Sequence, residues 1–108
     1  MARVKIITYV PTESAEKLRQ AIGDAGAGVL GNYSYCSFST KGEGRFMPND
    51  EANPYVGEKG ALHVEEEERI EVVCGRQDAK GVVEALKAAH PYEEVALEVI
   101  ALIDEEEL

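Results

Sequence analysis

The sequence predicts a single α+β domain of the ferredoxin-like type, in which a four-stranded antiparallel sheet carries two helices on one face. Its length of 108 residues fits one domain that spans 1–108. Strand-like and helix-like patterns follow the order strand-helix-strand, and this order occurs twice. Right-handed crossovers in the two half-repeats then join the four strands into one βαββαβ sheet.

The first half-repeat begins with β-branched, alternating residues over 3–10, which predict a strand. We expect Thr12 to cap a helix, and Gly26 and Gly28 to end it in the left-handed conformation. A second strand is predicted over 33–39, where aromatic or thiol residues alternate with small polar ones. The apolar stripe of the helix consists of Ala15, Leu18, Ala21, Ile22 and Ala25.

The long connection between the second and third strands covers about 40–66 and is rich in glycine and proline. Loops of this length in compact domains usually serve a function. Residues 45–47 could form a short extra strand within this connection. Ligand or partner contacts are therefore expected here.

The second half-repeat resumes regular alternation over 69–74. A second helix is predicted to begin near Asp78 and to stop at Pro91. The last strand is predicted over 94–103. The stripe of this helix consists of Ala79, Val82, Val83, Leu86 and Ala89.

The sheet face opposite the helices is predicted to be apolar. It would carry Ile7, Tyr9, Val73, Ile100 and Leu102. Because an exposed apolar sheet face is normally covered by another subunit, we expect a homo-oligomer.

Charge and hydropathy exclude several classes of function. The formal net charge is −10, and an acidic chain without a basic cluster is a poor nucleic-acid binder. No apolar run approaches the roughly 20 residues that span a bilayer. The first residues enter a strand-like pattern without the apolar stretch of a signal peptide, which favours a cytoplasmic protein.

Two acidic runs, 65–68 and 104–107, are interpreted as a solvated beginning of a strand and a frayed C-terminus. The alternative is a surface that attracts cations. Successive glutamates on a strand point to opposite faces, however, so they cannot all reach one ion.

Cysteine and histidine give few candidates for chemistry. Cys36 and Cys74 are expected on paired strands as free, buried thiols, with a disulfide or a metal pair as alternatives. His63 is interpreted as a surface residue. The segment 90–94 joins an imidazole, a phenol and two carboxylates after the second helix, either as a structural turn or as a ligand or metal contact.

The glycines of 28–33 follow a helix and lack the GxGxxG spacing, so a dinucleotide site is not predicted there. They permit a tight path, and Asn32 and Tyr33 are candidates to line a pocket. No Ser-His-Asp or Cys-His arrangement can be assembled from the sequence.

Four segments together resemble a known domain. They read GVLGNYSYCSFST (28–40), GEGRF (42–46), ANPYVG (52–57) and HPYEE (90–94). In this order they resemble the small inserted domain of the Nif-three-like (NGG-one-interacting-factor-like) proteins. The turn at 90–93 is also similar to one in the CutA divalent-ion tolerance proteins. The resemblance covers nearly the whole chain and implies a PII/CutA-like fold that assembles into oligomers, a trimer or a dimer.

The resemblance also limits the expected activity. It implies that the dinuclear metal centre of full-length members lies in two flanking α/β halves, which this sequence lacks. We therefore expect a stand-alone module that is not an enzyme. The family often has histidine where this chain has Tyr35, which disfavours a metal role there. By analogy with PII-like proteins, the loop 40–66 would contact a ligand or a protein partner.

Three functional hypotheses follow. The first is a non-catalytic binding or regulatory module whose ligand, ion or partner site lies between subunits. The second is a divalent-metal-binding protein that uses His90 and Glu93, although no cofactor is certain. The third is a metal-dependent hydrolase. The candidate ligand-binding residues are Asn32, Tyr33, Tyr55, His90, Tyr92 and Glu93.

Overall fold

The computed structural model describes residues 2–108 and confirms the predicted α+β fold. Two short 3₁₀ turns cover Arg76–Asp78 and Glu105–Glu107. The helices and strands are β1 (Arg3–Pro11), α1 (Thr12–Asp24), β2 (Phe38–Phe46), β3 (His63–Gly75), α2 (Ala79–Ala89) and β4 (Leu97–Leu102).

The sheet has the strand order β2-β3-β1-β4, and every neighbouring pair is antiparallel. In its register, Ile7 of β1 lies opposite Glu71 of β3 and Glu98 of β4. Residues directly opposite each other share a face, so these three side chains lie on the same side of the sheet. This topology is the predicted ferredoxin-like arrangement.

The hydrophobic core lies between the sheet and the two helices. Alternate strand residues point into it, and both helices present the predicted apolar stripe. Each large apolar side chain removed from water contributes about 1.5–3 kcal/mol. The buried cluster consists of Val4, Ile6, Val10, Ala15, Leu18, Ile22, Ala27, Ile70, Val72, Cys74, Val82 and Leu86.

The start of α1 differs from the sequence prediction. Thr12 is the first helical residue, and Pro11 occupies the N-cap position without a side-chain hydrogen bond. The predicted cap at Thr12 is therefore wrong, because β1 runs through Pro11 and the helix begins with no intervening residue. At the other end, Gly26 and Gly28 have φ values of 105° and 84°, as predicted.

The second strand lies later in the chain than predicted. It covers Phe38–Phe46, so the expected strand over 33–39 is wrong for its first five residues. Tyr35 has a φ of 58°, which is incompatible with an extended strand, and its hydroxyl donates to Asp24. The alternation of aromatic residues there belongs to a loop. The predicted short strand at 45–47 is the end of β2.

A long hairpin follows from this shift. Because β3 begins at His63, the connection between β2 and β3 covers 47–62, which is shorter than the predicted 40–66. Pro11 at the end of β1 pairs with Glu67, so the hairpin continues beyond β1 as two strands. The molecule measures 49 × 25 × 23 Å. The fourth strand is shorter than predicted, since 90–96 form a turn before it.

The outer face of the sheet is more polar than predicted. Ile7 is only 2% exposed, because polar and charged side chains cover it on the same face. Lys5 pairs with Glu71 at 3.3 Å, and the Tyr9 hydroxyl donates to Glu98 at 3.2 Å. The aliphatic portions of such side chains shield an apolar neighbour. Apolar side chains remain exposed on this face at both edges of the sheet, at Phe38 of β2 (66%) and at Ile100 of β4 (45%).

The two acidic runs are also more ordered than predicted. Glu68 is buried against α1 and forms an ion pair with Arg19 at 2.7 Å. At the C-terminus, Asp104 and Glu107 form a capping box at the start of a 3₁₀ turn. The hydrogen bond from the Glu106 N–H lowers the pKa of Asp104. Within residues 2–108, no helix combines the length and the apolar character that crossing a bilayer requires.

Candidate functional site

A cleft with a volume of about 750 Å³ lies at the hairpin end of the molecule. Three parts of the chain form it, which are the hairpin, the connection 47–62 and the turn 90–96. Small-molecule sites typically have volumes of this order. Its polar and aromatic lining includes Tyr9, Glu43, Arg45, Phe46, Glu51, Tyr55, Glu67, Tyr92, Glu93 and Glu94.

Tyr92 occupies the centre of this cleft. Its hydroxyl donates to Glu67 Oε2 at 2.7 Å. Its ring centroid lies 5.8 Å from that of Phe46, edge to face, and 6.2 Å from that of Tyr55. Burial first, and then the hydrogen bond to the Glu67 carboxylate, raise the pKa of Tyr92, so this phenol stays protonated. Tyr92 therefore joins the three parts of the cleft.

His90 supports Tyr92 from the interior. It is 6% exposed, and its ring centroid lies 4.9 Å from that of Tyr92. Nε2 lies 2.7 Å from the Tyr9 carbonyl oxygen, and Nδ1 accepts the Tyr92 N–H at 3.1 Å. These partners assign the neutral tautomer with the proton on Nε2. Burial lowers the pKa of His90, which favours the same neutral state.

The local sequence explains this turn. A residue before proline avoids the helical region, and His90 accordingly ends α2 with an extended ψ of 136°. The chain then turns away from the helix axis and places Tyr92 and Glu93 beside the connection 47–62. Glu93 Oε1 accepts the Asn53 N–H at 2.8 Å, which ties the connection to the turn.

Gly44 of β2 makes room for the buried carboxylate. A Cβ at this position would collide with the Glu67 carboxyl group. Glu67 is 9% exposed and points to the outer face, whereas Glu68 points to the helices. The glycine is thus required by a close approach, which no local pattern in β2 indicates.

Two lining residues of the cleft, Phe46 and Glu67, and their neighbours His63 and Glu65 were not anticipated from the sequence. Phe46, Glu65 and Glu67 were not candidates, and His63 was interpreted as a surface residue. His63 is half-buried, with Nε2 2.7 Å from Glu65 Oε1 and its ring 5.1 Å from Phe46. The spacing of His63, Glu65 and Glu67 at every second residue is the signal that could have placed them on one strand face.

The structure brings some of the predicted site residues together and leaves others apart. Tyr55, Tyr92 and Glu93 line the cleft, and His90 lies beneath them. Asn32 and Tyr33 lie in the loop before β2. That loop is held at the opposite end of β3, where the Gly28 N–H donates to the Val73 carbonyl oxygen. Within one chain, Asn32 and Tyr33 do not join the cleft.

The geometry gives the predicted metal contact no direct support. Both ring nitrogens of His90 have hydrogen-bond partners, and Glu93 bonds the backbone of Asn53. Within residues 2–108, no group of three His, Cys, Asp or Glu side chains is arranged to hold a metal ion. Metal binding through His90 and Glu93 stays a prediction.

The two cysteines are free thiols, as predicted, but their expected positions are only partly right. Cys74 is buried on β3, and burial raises the pKa of its thiol. Cys36 is half-buried in the loop before β2, because that strand begins two residues later. The two side chains therefore do not face each other across paired strands.

Comparisons with known proteins connect this chain to one group of sequences. It is 43% identical over 103 residues to the GTP cyclohydrolase 1 type 2 homolog of Halalkalibacterium halodurans, covering 95% of this chain and 28% of the relative. It is 46% identical over 95 residues to the protein of the same name in Bacillus subtilis, covering 88% and 26%. The chain thus spans about a quarter of these relatives. No protein-family model matches it.

Solved structures give the same picture. A Bacillus cereus protein related to NIF3 superimposes with a TM-score of 0.83 at 42% identity, covering 95% of this chain and 26% of that protein. CutA1 from Shewanella sp. SIB1 has a TM-score of 0.69 at 15% identity, over 94% of this chain and 82% of CutA1. Bacillus subtilis GlnK, solved with ATP, has a TM-score of 0.64 at 16% identity, over 94% and 82%. At such identities CutA1 and GlnK show the fold alone.

Proposed function

Because this chain is homologous to one segment of the NIF3-family proteins and has the CutA/PII-like fold, we propose that it is a non-catalytic binding or regulatory module. The cleft around Tyr92 binds a small ligand, and a partner protein or the other subunits then bind differently to the ligand-bound chain. The observation that carries this proposal is the cleft itself, which combines four aromatic side chains with buried, hydrogen-bonded polar groups.

Pre-organisation of the cleft supports binding. Tyr92 is held by Glu67 and by its N–H bond to His90, so its ring is in place without a ligand. Tyr55 is 55% exposed and offers open ring surface beside it. A fixed anchor next to an open ring lowers the entropic cost of binding.

The hydrogen bonds of His90 favour a binding function over a catalytic one. His90 lies directly beneath the cleft, and an imidazole is the type of side chain best suited to accept a proton near neutral pH. Its Nδ1 lone pair is occupied by the Tyr92 N–H and its Nε2 by the Tyr9 carbonyl oxygen. The residue thus acts as a structural support for the cleft and not as a base.

We further propose that the module is a homo-oligomer, a trimer or a dimer, and that it works in the cytoplasm. Within residues 2–108, β4 pairs with β1 alone, so its other edge is open for pairing with another chain. On that edge Val99 is 47% exposed and Ile100 is 45% exposed. The free thiols of Cys36 and Cys74 fit a reducing compartment.

The experiment that tests ligand binding uses a panel of small metabolites and a pair of matched tyrosine variants. Tyr55 and Tyr35 have similar exposures of 55% and 54%, but only Tyr55 lines the cleft. Compounds that raise the melting temperature of the wild-type chain should lose this effect with Tyr55→Leu and keep it with Tyr35→Leu. Ligand binding that survives Tyr55→Leu unchanged would remove the cleft from the proposal.

Nucleotide hydrolysis is the alternative that the relatives' names suggest. The chain covers only about a quarter of those proteins, so the name does not carry over to this segment by itself. Incubation of the purified chain with GTP and Mg²⁺, Mn²⁺ or Zn²⁺ tests it. Turnover that copurifies with the chain and is lost in Tyr92→Leu would replace the binding proposal with a catalytic one.

A further inference from the structure

The lining of the cleft around Tyr92 combines aromatic rings with carboxylates, a composition that favours a cationic ligand over a neutral one. Four aromatic side chains line it, those of Tyr9, Phe46, Tyr55 and Tyr92, and the ring centroids of Phe46 and Tyr55 lie 5.8 and 6.2 Å from that of Tyr92. The negative face of an aromatic ring attracts a cation, and the attraction is strongest where several rings meet. The hydroxyl of Tyr92 donates to a carboxylate, which increases the electron density of this ring further.

Charge around the same cleft has one dominant sign. Five carboxylates contribute to its lining, whereas Arg45 is the single cationic side chain there. The Glu67 carboxylate accepts the hydrogen bond from Tyr92. The other four carboxylates are exposed and form an acidic rim, which gives the cleft a negative electrostatic potential. Carboxylates of this rim are Glu43, Glu51, Glu93 and Glu94.

We propose that the cleft binds a small organic cation, in which an alkylammonium or guanidinium group lies against Tyr55 and Tyr92 and is paired with Glu93. This inference rests on the proposed binding function and names the chemical class of its ligand. The aromatic rings supply the apolar and cation–π contacts, and the acidic rim supplies the charge. Anionic metabolites such as nucleotides are repelled by the same rim.

Two other occupants fit the geometry less well. A hard metal ion requires several oxygen ligands that converge, and no such group exists within residues 2–108. A second copy of this chain carries a net charge of −10, so its surface is on average repelled by the acidic rim. A volume of about 750 Å³ is suited to a free small molecule.

Calorimetric titration with three matched four-carbon probes tests the charge selectivity. Putrescine carries two ammonium groups, 1,4-butanediol is neutral and succinate is anionic. Agmatine adds a guanidinium group. We expect saturable binding of putrescine or agmatine at one site per chain, and no saturable binding of the diol or of succinate.

Matched variants locate the site. Tyr55→Leu should weaken cation binding about 2- to 30-fold through the lost cation–π contact, whereas Tyr35→Leu should leave it unchanged. Glu93→Gln retains an oxygen for the Asn53 N–H and should weaken binding about two- to fivefold. Glu84→Gln removes the same charge on the exposed side of α2, away from the cleft, and should have almost no effect.

The results separate this inference from the function on which it rests. Equal losses with Glu84→Gln and Glu93→Gln would show diffuse attraction to an acidic protein and overturn the inference. Binding of a neutral or anionic metabolite that depends on Tyr55 would also overturn it, while the binding function would stand. If no compound of any charge binds, both fail. A blocked Gly-Arg-Gly peptide that displaces the free probes and binds more tightly would overturn the small-molecule assignment.

Discussion

Tyr92 shows how a single side chain can hold an open cleft in shape. It packs on His90, meets two further rings and donates its hydroxyl to the carboxylate of Glu67, which is 9% exposed. A buried carboxylate is costly unless hydrogen bonds satisfy it. Tyr92 therefore stabilises both its own position and that of Glu67.

Tyr92→Phe measures how much the hydrogen bond from Tyr92 to Glu67 contributes to the free energy of unfolding. The ring remains, but Glu67 loses its partner, so we expect the free energy of unfolding to fall by about 1–3 kcal/mol. Tyr9→Phe is the matched control, because its hydroxyl bonds the exposed carboxylate of Glu98 at 3.2 Å and should matter less. Urea unfolding of both variants measures the difference. Equal losses would contradict the special role of the Tyr92–Glu67 pair.

His90 predicts how stability depends on pH. Burial lowers its pKa below the ordinary value of 6.5, against the opposing effects of the Tyr9 carbonyl and the Glu67 charge. As the pH falls below 6.5, the unfolded chain therefore binds a proton before the folded chain does. This contribution to stability is complete above the unfolded-state pKa and decreases as the pH falls towards the lower, folded-state pKa.

Urea unfolding at about pH 7.5 and pH 5.5 checks this sign. We expect the wild-type chain to be less stable at the lower pH, and His90→Gln to show a smaller difference between the two conditions. Because Gln has no charge to gain, its remaining pH dependence reports the other titrating groups. A wild-type pH dependence equal to that of His90→Gln would contradict the neutral, hydrogen-bonded state of His90.

At the scale of elements, the loop between α1 and β2 lies outside the helices and strands and yet is hydrogen-bonded to the sheet. The Gly28 N–H donates to the Val73 carbonyl oxygen at 2.8 Å, and the Gly28 carbonyl oxygen accepts the Cys36 N–H at 2.9 Å. These bonds fix where the chain leaves the helix. They also explain why a segment with a strand-like pattern remains outside the sheet.

Gly28→Ala and Gly26→Ala form a matched pair for this loop. Both glycines have positive φ, but a Cβ at Gly28 would collide with the backbone of Cys36, whereas at Gly26 it would meet open space. Gly26→Ala should cost about 1 kcal/mol from its conformation alone. Gly28→Ala should cost about 3 kcal/mol or more, since conformational strain and a backbone clash add. Chemical denaturation of both variants would contradict this ranking if their losses were equal.

At the scale of the whole molecule, the open edge of the sheet carries the proposed self-association. In the described part of the chain, β4 (Leu97–Leu102) has a strand partner, β1, on one side only. Its apolar residues Val99 and Ile100 are nearly half exposed. An unprotected edge of this kind favours pairing with another chain. The proposed ligand cleft lies at the hairpin end, so ligand binding and assembly involve different surfaces of one chain.

The double variant Val99→Lys/Ile100→Lys should convert the oligomer into a folded monomer, because two charges per chain oppose edge pairing. Light scattering coupled to size exclusion measures the mass, and circular dichroism checks the fold. Ala88→Lys on the exposed surface of α2 is the control and should leave the mass unchanged. A wild-type chain that is monomeric at micromolar concentration, or an oligomer that survives both substitutions, would contradict this proposal.

The sequence by itself determined the elements whose apolar residues face the core. Both helix stripes, β1 and the central part of β3 follow from their periodicity, because burial on one face leaves a regular pattern in the chain. Tyr55, Tyr92 and Glu93 were also found as candidates from their place in the segments 52–57 and 90–94. These features depend on local patterns and on similarity to known segments.

Only the tertiary structure decided the position of β2 and the composition of the cleft. β2 is largely exposed and is held by its ladder with β3, so no apolar pattern marks its residues. Phe46 and Glu67 enter the site because the hairpin extends past Pro11 and meets the turn at Tyr92. Such contacts join residues that are distant in the chain, and their energy depends on cross-strand register and burial, which local sequence patterns do not record.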